Sequence, residues 1–335
     1  MTIGTQEWLA QVQEEILEPD LPICDPHHHL WDHPDSRYLL EELLTDTGSG
    51  HNVVSTVFVE CSSMYRAEGS EAMSPVGETE FVNGVAAMSA SGLYGDTQAC
   101  LGIVSYADLT LGGAVGEVLD AHMRVSDRFK GIRHAAGWDP NAAVRNSHTN
   151  PIEHLYLDAA FREGFAELAE RGLSFDAWLY HHQISELTDL ARAFPGTTII
   201  FDHFGGPLGI GPYAGKRQEI FEKWAQDVAE LARCENVVAK LGGLVMPING
   251  FGLHKRDKPP GSDEIVALTS EYYRHALDCF GPSRCMFESN FPVDKQSCSY
   301  AVLWNAFKKL ATGFSAAEKA SRFHDTAAEA YRLGA

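Results

Sequence analysis

The chain has 335 residues, 44% hydrophobic and 21% charged, a globular composition with enough length for one large core. Its 26 basic and 46 acidic residues leave a net charge of −20, which argues against nucleic acid or an anionic membrane as partner. The 7 cysteines form no CxxC pair, no basic-then-apolar leader is visible, and no apolar run is long enough to span a bilayer. Reduced thiols in a cytoplasmic protein are expected.

The predicted elements alternate short β-branched runs with amphipathic stretches. Residues 7–17 read as a short amphipathic helix ahead of the first strand. Strands are predicted at 21–29, 53–61, 99–106, 129–134, 173–180, 197–203, 236–242 and 284–289. Between them, residues 156–171 carry Leu157, Ala160, Phe161, Phe165 and Leu168 at helical spacing, and 220–232 and 264–280 are similar. Residues 315–333 close the series as a helix, with Ser315 at the N-cap and Glu318 three residues on.

Eight strand–helix units in succession predict an α/β fold, a parallel (β/α)8 TIM barrel. It is read as a single domain over residues 1–335, with the barrel core at about 21–312 and short helices added at both ends. A doubly wound open sheet is the alternative, and the lack of GxGxxG after the first strand argues against it. The loops near 62–77, 135–152, 204–215 and 243–262 are long; in a barrel they share the face that builds the active site. His254-Lys255-Arg256-Asp257-Lys258, in the longest loop, is either a solvated tip or a lid that attracts an anionic substrate.

Candidate site residues lie at the strand ends. The first strand ends in Asp25-Pro26-His27-His28-His29-Leu30-Trp31-Asp32. Strand alternation puts His27 and His29 on one side, where paired imidazoles can bind a metal or hydrogen-bond a carbonyl oxygen. Asp25 shares that face one layer deeper. Glu60 ends the second strand as a carboxylate candidate. Arg133 ends the fourth, its planar donor fork suited to a carboxylate, a polarised carbonyl or a structural ion pair. Tyr180 ends the fifth on the face of Asp176 and Trp178. His203 ends the sixth and would complete a three-imidazole cluster with His27 and His29. Lys240 lies inside an apolar seventh strand, where burial without a partner is costly. Its partner is then an acid in the barrel mouth or an anionic group of the substrate. Glu288 and Asn290 share a face of the eighth strand, and Glu288 alone can be a general base or metal ligand.

These segments resemble the amidohydrolase superfamily, and within it the amidohydrolase-related lactonase group of L-fuconolactonase and 2-pyrone-4,6-dicarboxylate hydrolase. The resemblance rests on Asp25-Pro26-His27-His28-His29-Leu30-Trp31, Lys130-Gly131-Ile132-Arg133-His134, Phe175-Asp176, Asp202-His203-Phe204-Gly205-Gly206-Pro207, residues 236–244 and residues 284–292, in family order across nearly the whole chain. It implies a (β/α)8 barrel that hydrolyses a cyclic ester. It matches His27, His29 and His203 to the family's strand-end histidines. It matches Arg133, Tyr180 and Lys240 to residues that hold the substrate carbonyl or carboxylate. In pyrone hydrolase-like members no metal is needed, and a strand-eight Asp activates water.

The chain departs from the family at that Asp. Where Gly-Ser-Asp-Trp-Pro is usual, it has Glu288-Ser289-Asn290-Phe291-Pro292. Asn290 cannot act as a carboxylate base and can only orient water or substrate. The base has then moved to Glu288, Glu60 or Asp294, or a histidine serves, or the reaction differs. Glu288 is the best placed, although it lies about 7 Å deeper along an extended strand.

The leading expectation is a hydrolase of a small-molecule lactone or related cyclic ester bearing a carboxylate or hydroxyl group. His27, His29 and Arg133 would hold the oxyanion, Glu288 would activate water, Glu60, Tyr180 and Lys240 would contact substrate, and no cofactor would be required. The alternative is a metal-dependent amidohydrolase or non-oxidative aromatic-acid decarboxylase, with Zn or Mn on His27, His29 and His203. The missing strand-eight Asp counts against it, because family metal sites use that residue. A non-catalytic binding protein on a decayed barrel is the third reading; the retained polar groups argue against it. Tyr65, Tyr94, Trp138, Tyr213 and Phe251 in the long loops suit a pocket wall or the subunit contact of a homo-oligomer.

Overall fold

In the computed structural model, which describes residues 4–334, eight parallel strands pair in chain order. They are β1 (Ile23–His28), β2 (Val53–Val59), β3 (Gln98–Ser105), β4 (Phe129–Arg133), β5 (Ser174–Ala177), β6 (Ile199–Phe201), β7 (Val237–Leu241) and β8 (Cys285–Phe287). The ring closes just beyond β8, where Asn290 N donates to His27 O (2.9 Å) and His29 N donates to Phe291 O (2.8 Å). A helix follows each strand: α1 (Leu40–Thr47), α2 (Val76–Ala90), α3 (Val115–Val125), α4 (Ala159–Glu170), α5 (Ile184–Ala193), α6 (Arg217–Leu231), α7 (Ser262–Phe280) and α8 (Tyr300–Leu310). This is the expected (β/α)8 barrel. No described helix is long and apolar enough to cross a membrane.

The period-2 pattern of the strands divides two cores. Phe58, Ile103, Phe175, Ile199 and Phe201 point outward and pack under the helices. Val57, Val59, Val104, Ile200 and Met286 belong to a separate cluster with Tyr331, which fills the barrel interior. The helices meet the outer core along apolar stripes. In α4, Asp158 caps the first turn by accepting from Phe161 N (2.9 Å), and Phe161, Phe165 and Leu168 are buried.

Three elements differ from expectation. The N-terminal helix covers only Gln6–Leu9. Beyond it the backbone is tied by barrel side chains rather than by its own turns. Leu17 N donates to Asn305 Oδ1 (3.0 Å), and Lys308 Nζ donates to Leu17 O and Glu18 O (2.8 Å each). The C-terminal helix starts at Ser315 with the expected capping box, but a π-turn at Ser321–Asp325 separates Ala316–Ala320 from Thr326–Ala330. That break turns Tyr331 into the barrel floor. A hairpin of Trp31–His33 with Ser36–Tyr38, unmarked by any long apolar pattern, stands over the site beyond β1. In the basic loop, Arg256 is ion-paired with Glu264, and its carbonyl accepts from Trp8 Nε1 (3.0 Å).

Candidate active site

The strand ends deliver their polar side chains in three layers. Lys240 makes the floor and is wholly buried. Its Nζ lies 2.6 Å from Asp176 Oδ2, 3.3 Å from Asp202 Oδ1 and 3.1 Å from His27 Nδ1. Tyr331 donates from below to the same Asp176 oxygen (2.6 Å). Burial works against the Lys240 charge, but Asp176, Asp202 and Glu288 outweigh it and hold the ammonium above its ordinary pKa.

The middle layer holds His27, His203 and Glu288. The His27 and His203 ring centroids are 4.4 Å apart, and His203 Nδ1 lies 2.5 Å from Glu288 Oε1. Burial, with Lys240 second, lowers His27 well below an ordinary imidazole, and burial pushes His203 down to about 3. Burial pushes Glu288 up to about 8, against the pull of Lys240. Glu288 Oε2 approaches His27 Nδ1 to 2.9 Å without hydrogen-bond alignment, so that oxygen has no partner among the described residues.

The local backbone is shaped for this pair. His203 and Phe204 have φ of 50° and 58°, which swings the imidazole into the barrel just after β6. Gly243, at φ 71°, passes so close that a Cβ there would lie 2.6 Å from His203 Nδ1.

Arg133, Glu60, His29 and His148 form the rim. Arg133 Nε donates to Glu60 Oε1 (2.7 Å), Nη2 donates to Glu60 O (2.6 Å), and Nη1 lies 3.4 Å from His27 Nε2. His148 Nε2 reaches Glu60 Oε2 at 2.9 Å. Burial alone would raise Glu60; His148 and Arg133 more than offset it and hold the carboxyl below the usual range. His29 Nδ1 is 2.8 Å from Val59 O, a contact that requires the proton on Nδ1. His29 Nε2 is therefore a bare acceptor, because burial keeps the ring neutral. His29 thus cannot polarise a carbonyl as expected. The donors are Arg133 and His27. His27 faces two obligate donors, Lys240 Nζ at 3.1 Å from Nδ1 and Arg133 Nη1 at 3.4 Å from Nε2; a neutral ring can accept only one, and the shorter contact makes Nδ1 the acceptor and leaves the proton on Nε2.

Above the rim, a cavity of about 320 Å³ is lined by residues that include His29, Trp31, Arg133, Arg145 and His148. Sequence reasoning missed His148 and Arg145, which sit in the loop after β4 without any periodic signal. It also missed Asp202 as a partner of Lys240, although an acid beside an apolar strand invites the argument made for the lysine. Tyr180 is near but turned away, its hydroxyl donating to Arg145 O. The Asn290 amide turns to Asp294 Oδ1 (3.1 Å), because φ of 55° breaks the extended path on which it would have shared the face of Glu288.

Among the described residues, donor atoms come within 4.8 Å of one another in two groups, His27–His203–Glu288 and His27–Asp176–Asp202. His29 belongs to neither. Imidazole and carboxylate are ligands for Zn or Mn. The contacts nonetheless do not fit a divalent ion. In the second group the Lys240 ammonium already sits against all three residues. In the first, His27 has one lone pair when neutral, and both of its nitrogens face a cationic side chain, Lys240 or Arg133.

The barrel, its strand-one histidines and the buried acid–base pair define an enzyme site of the amidohydrolase type. A family model described as amidohydrolase matches residues 24–333, and the chain belongs to that family. It is 35% identical to the uncharacterized protein y4mH of Sinorhizobium fredii, over 94% of this chain and 99% of the relative. It is also 28% identical to an L-fucono-1,5-lactonase of Burkholderia multivorans, over 52% of this chain and 57% of that protein. Among solved structures, an amidohydrolase from Burkholderia multivorans with bound zinc superimposes with a TM-score of 0.70 at 21% identity, covering 93% of this chain and 99% of its own.

Proposed function

We propose that this chain hydrolyses a small lactone, with a carbonyl-polarising pair formed by His27 and Arg133 and a water-activating pair formed by His203 and Glu288. One observation carries the reading. Arg133 Nη1 at the rim stands 3.4 Å from His27 Nε2 in the layer beneath, so that both N–H groups can meet one oxygen, beside a buried imidazole–carboxylate pair only 2.5 Å apart. Donors aimed at a developing oxyanion are the largest expected catalytic term. The partial match to L-fucono-1,5-lactonase supports a cyclic ester as substrate.

Of the four residues only Arg133 lines the cavity; His27 and Glu288 are fully buried beneath it, and His203, at 3%, is the member of the acid–base pair with any exposure. Glu288 therefore acts through His203. With Glu288 ionised, His203 donates from Nδ1 to Oε1 and offers Nε2 as the base. His203 takes a proton from water as the water oxygen bonds to the lactone carbonyl carbon. The carbonyl oxygen becomes an oxyanion between His27 and Arg133. The ring C–O bond then breaks, and the leaving oxygen recovers the proton from His203, giving a hydroxy acid. His148, held by Glu60 at the rim, lines the cavity. Arg145, also on the cavity wall, suits a carboxylate or hydroxyl on the substrate. The steps require no cofactor.

The test is a lactone panel read by acid release: 1,4- and 1,5-sugar lactones and a carboxylated pyrone, on metal-free protein. Stoichiometric acid from at least one class, beyond spontaneous opening, is expected. Inactivity across the panel, in protein shown to be folded, would discard the reading.

A further inference from the structure

Lys240 raises a question that the lactone chemistry leaves unanswered, because its ammonium never reaches the cavity. We propose that Lys240 is the resident cation of the barrel floor, its ammonium filling the place among His27, Asp176 and Asp202 where these donors would otherwise hold a divalent metal ion.

Two carboxylates and an imidazole within 4.8 Å of one another are a donor set for a small dication. The ammonium meets each of them, hydrogen-bonding Asp176 at 2.6 Å and His27 at 3.1 Å and pairing by charge with Asp202 at 3.3 Å. Lys240, Asp176, Asp202 and His27 are all fully buried, so water cannot neutralise the acids in its stead. The set also has lone pairs to spare. Asp176 Oδ1 and both Asp202 carboxylate oxygens have no hydrogen-bond partner among the described residues. Tyr331 closes the pocket from below, its ring centroid 5.2 Å from Nζ and its hydroxyl on Asp176. A dication and the ammonium cannot share this volume, since like charges repel strongly where the dielectric is low.

The consequence reaches the rim. By donating to His27 Nδ1, the ammonium keeps the proton on Nε2, which is the orientation a carbonyl-polarising donor needs. Lys240 is in this sense a positioning residue. The cation assignment itself stands apart from the lactone reading, because it concerns metal uptake and not turnover.

The experiment replaces the ammonium and asks whether a metal takes its place. Wild-type protein, Lys240→Ala and Lys240→Ala/Asp176→Asn are stripped with chelator and titrated with Co²⁺. Visible d–d absorption, metal stoichiometry after gel filtration and Tm are recorded. Lys240→Ala is expected to take up one equivalent with a low-symmetry visible band and a rise in Tm. Wild type and the double variant are expected to show neither. If Lys240→Ala folds only when expressed with added metal, that rescue supports the same conclusion. If it does not fold at all, Lys240→Met, which retains the apolar stem, is read in the same way. The proposal is overturned if neither variant takes up Co²⁺. It is equally overturned if wild type binds one equivalent that His27→Gln removes.

Discussion

Arg133 makes two contacts with Glu60 and a third approach to His27, so its planar fork does two jobs at once. Lysine cannot span them. Arg133→Lys is expected to keep the fold, because a cation still faces Glu60, and to lower kcat by about 10²–10³-fold through loss of one oxyanion donor. Circular dichroism with steady-state kinetics on the best lactone checks both halves. Arg133→Ala is the less informative change. It strands the buried Glu60 charge, and removing one partner of a buried pair costs about 3–5 kcal/mol. At this scale the sequence was legible where a polar residue interrupts an apolar strand: His27, Arg133, His203, Lys240 and Glu288 all converge. It was not legible where the decisive fact is a hydrogen bond. The Val59 carbonyl makes His29 an acceptor, and nothing in the local sequence announces that contact.

The turn after β7 and the segment after α8 shape the site without touching the cavity. Gly243→Ala would place a methyl group 2.6 Å from His203 Nδ1 at φ 71°. The expected result is a lower Tm together with loss of most activity, because the imidazole must move off Glu288; differential scanning calorimetry and kinetics on the same sample measure it. Tyr331 is the interior plug, packed among Cys24, Val57, Val104 and Met286. Tyr331→Ala should destabilise the protein by about 3–5 kcal/mol, in the range for a large aromatic lost from a core, as measured by urea unfolding. A Tm within about 1 °C of wild type would remove Tyr331 from the barrel floor. Strands were readable from their β-branched runs. The terminal helices were overextended because helical spacing continues past the point where tertiary contacts take over: Lys308 captures carbonyls near residue 17, and the π-turn diverts the chain inward.

For the whole molecule, burying so many titratable groups gives stability two opposed pH dependences. Glu288 is raised from 4.5 to about 8, so its contribution is fully present below 4.5 and is lost as pH rises through about 8. Asp25 and Asp202, each raised from 3.8 to about 6, act in the same direction over a lower window. His28 and His203 are lowered from 6.5 to about 3, so the stability of their neutral forms is present above 6.5 and is lost as pH falls toward 3. Tm measured against pH should therefore fall on both sides. Glu288→Gln should flatten the decline between pH 4.5 and about 8 and leave the acid limb unchanged. The barrel as a whole was legible because eight repeats of strand and helix leave few alternatives. The rim loops were not, because His148 and Arg145 reach the cavity through irregular backbone.

The pH–rate profile of Glu288→Gln beside wild type, on one lactone and with metal-free protein, tests the catalytic pair most directly. Wild-type kcat should rise with pH toward a plateau above about 8, as Glu288 ionises and frees His203 to act as base. The variant should remain folded, lose about 10²–10⁴-fold in kcat and lose that titration. A variant that turns over at the wild-type rate with the same profile would contradict the assignment and leave His203 without its carboxylate.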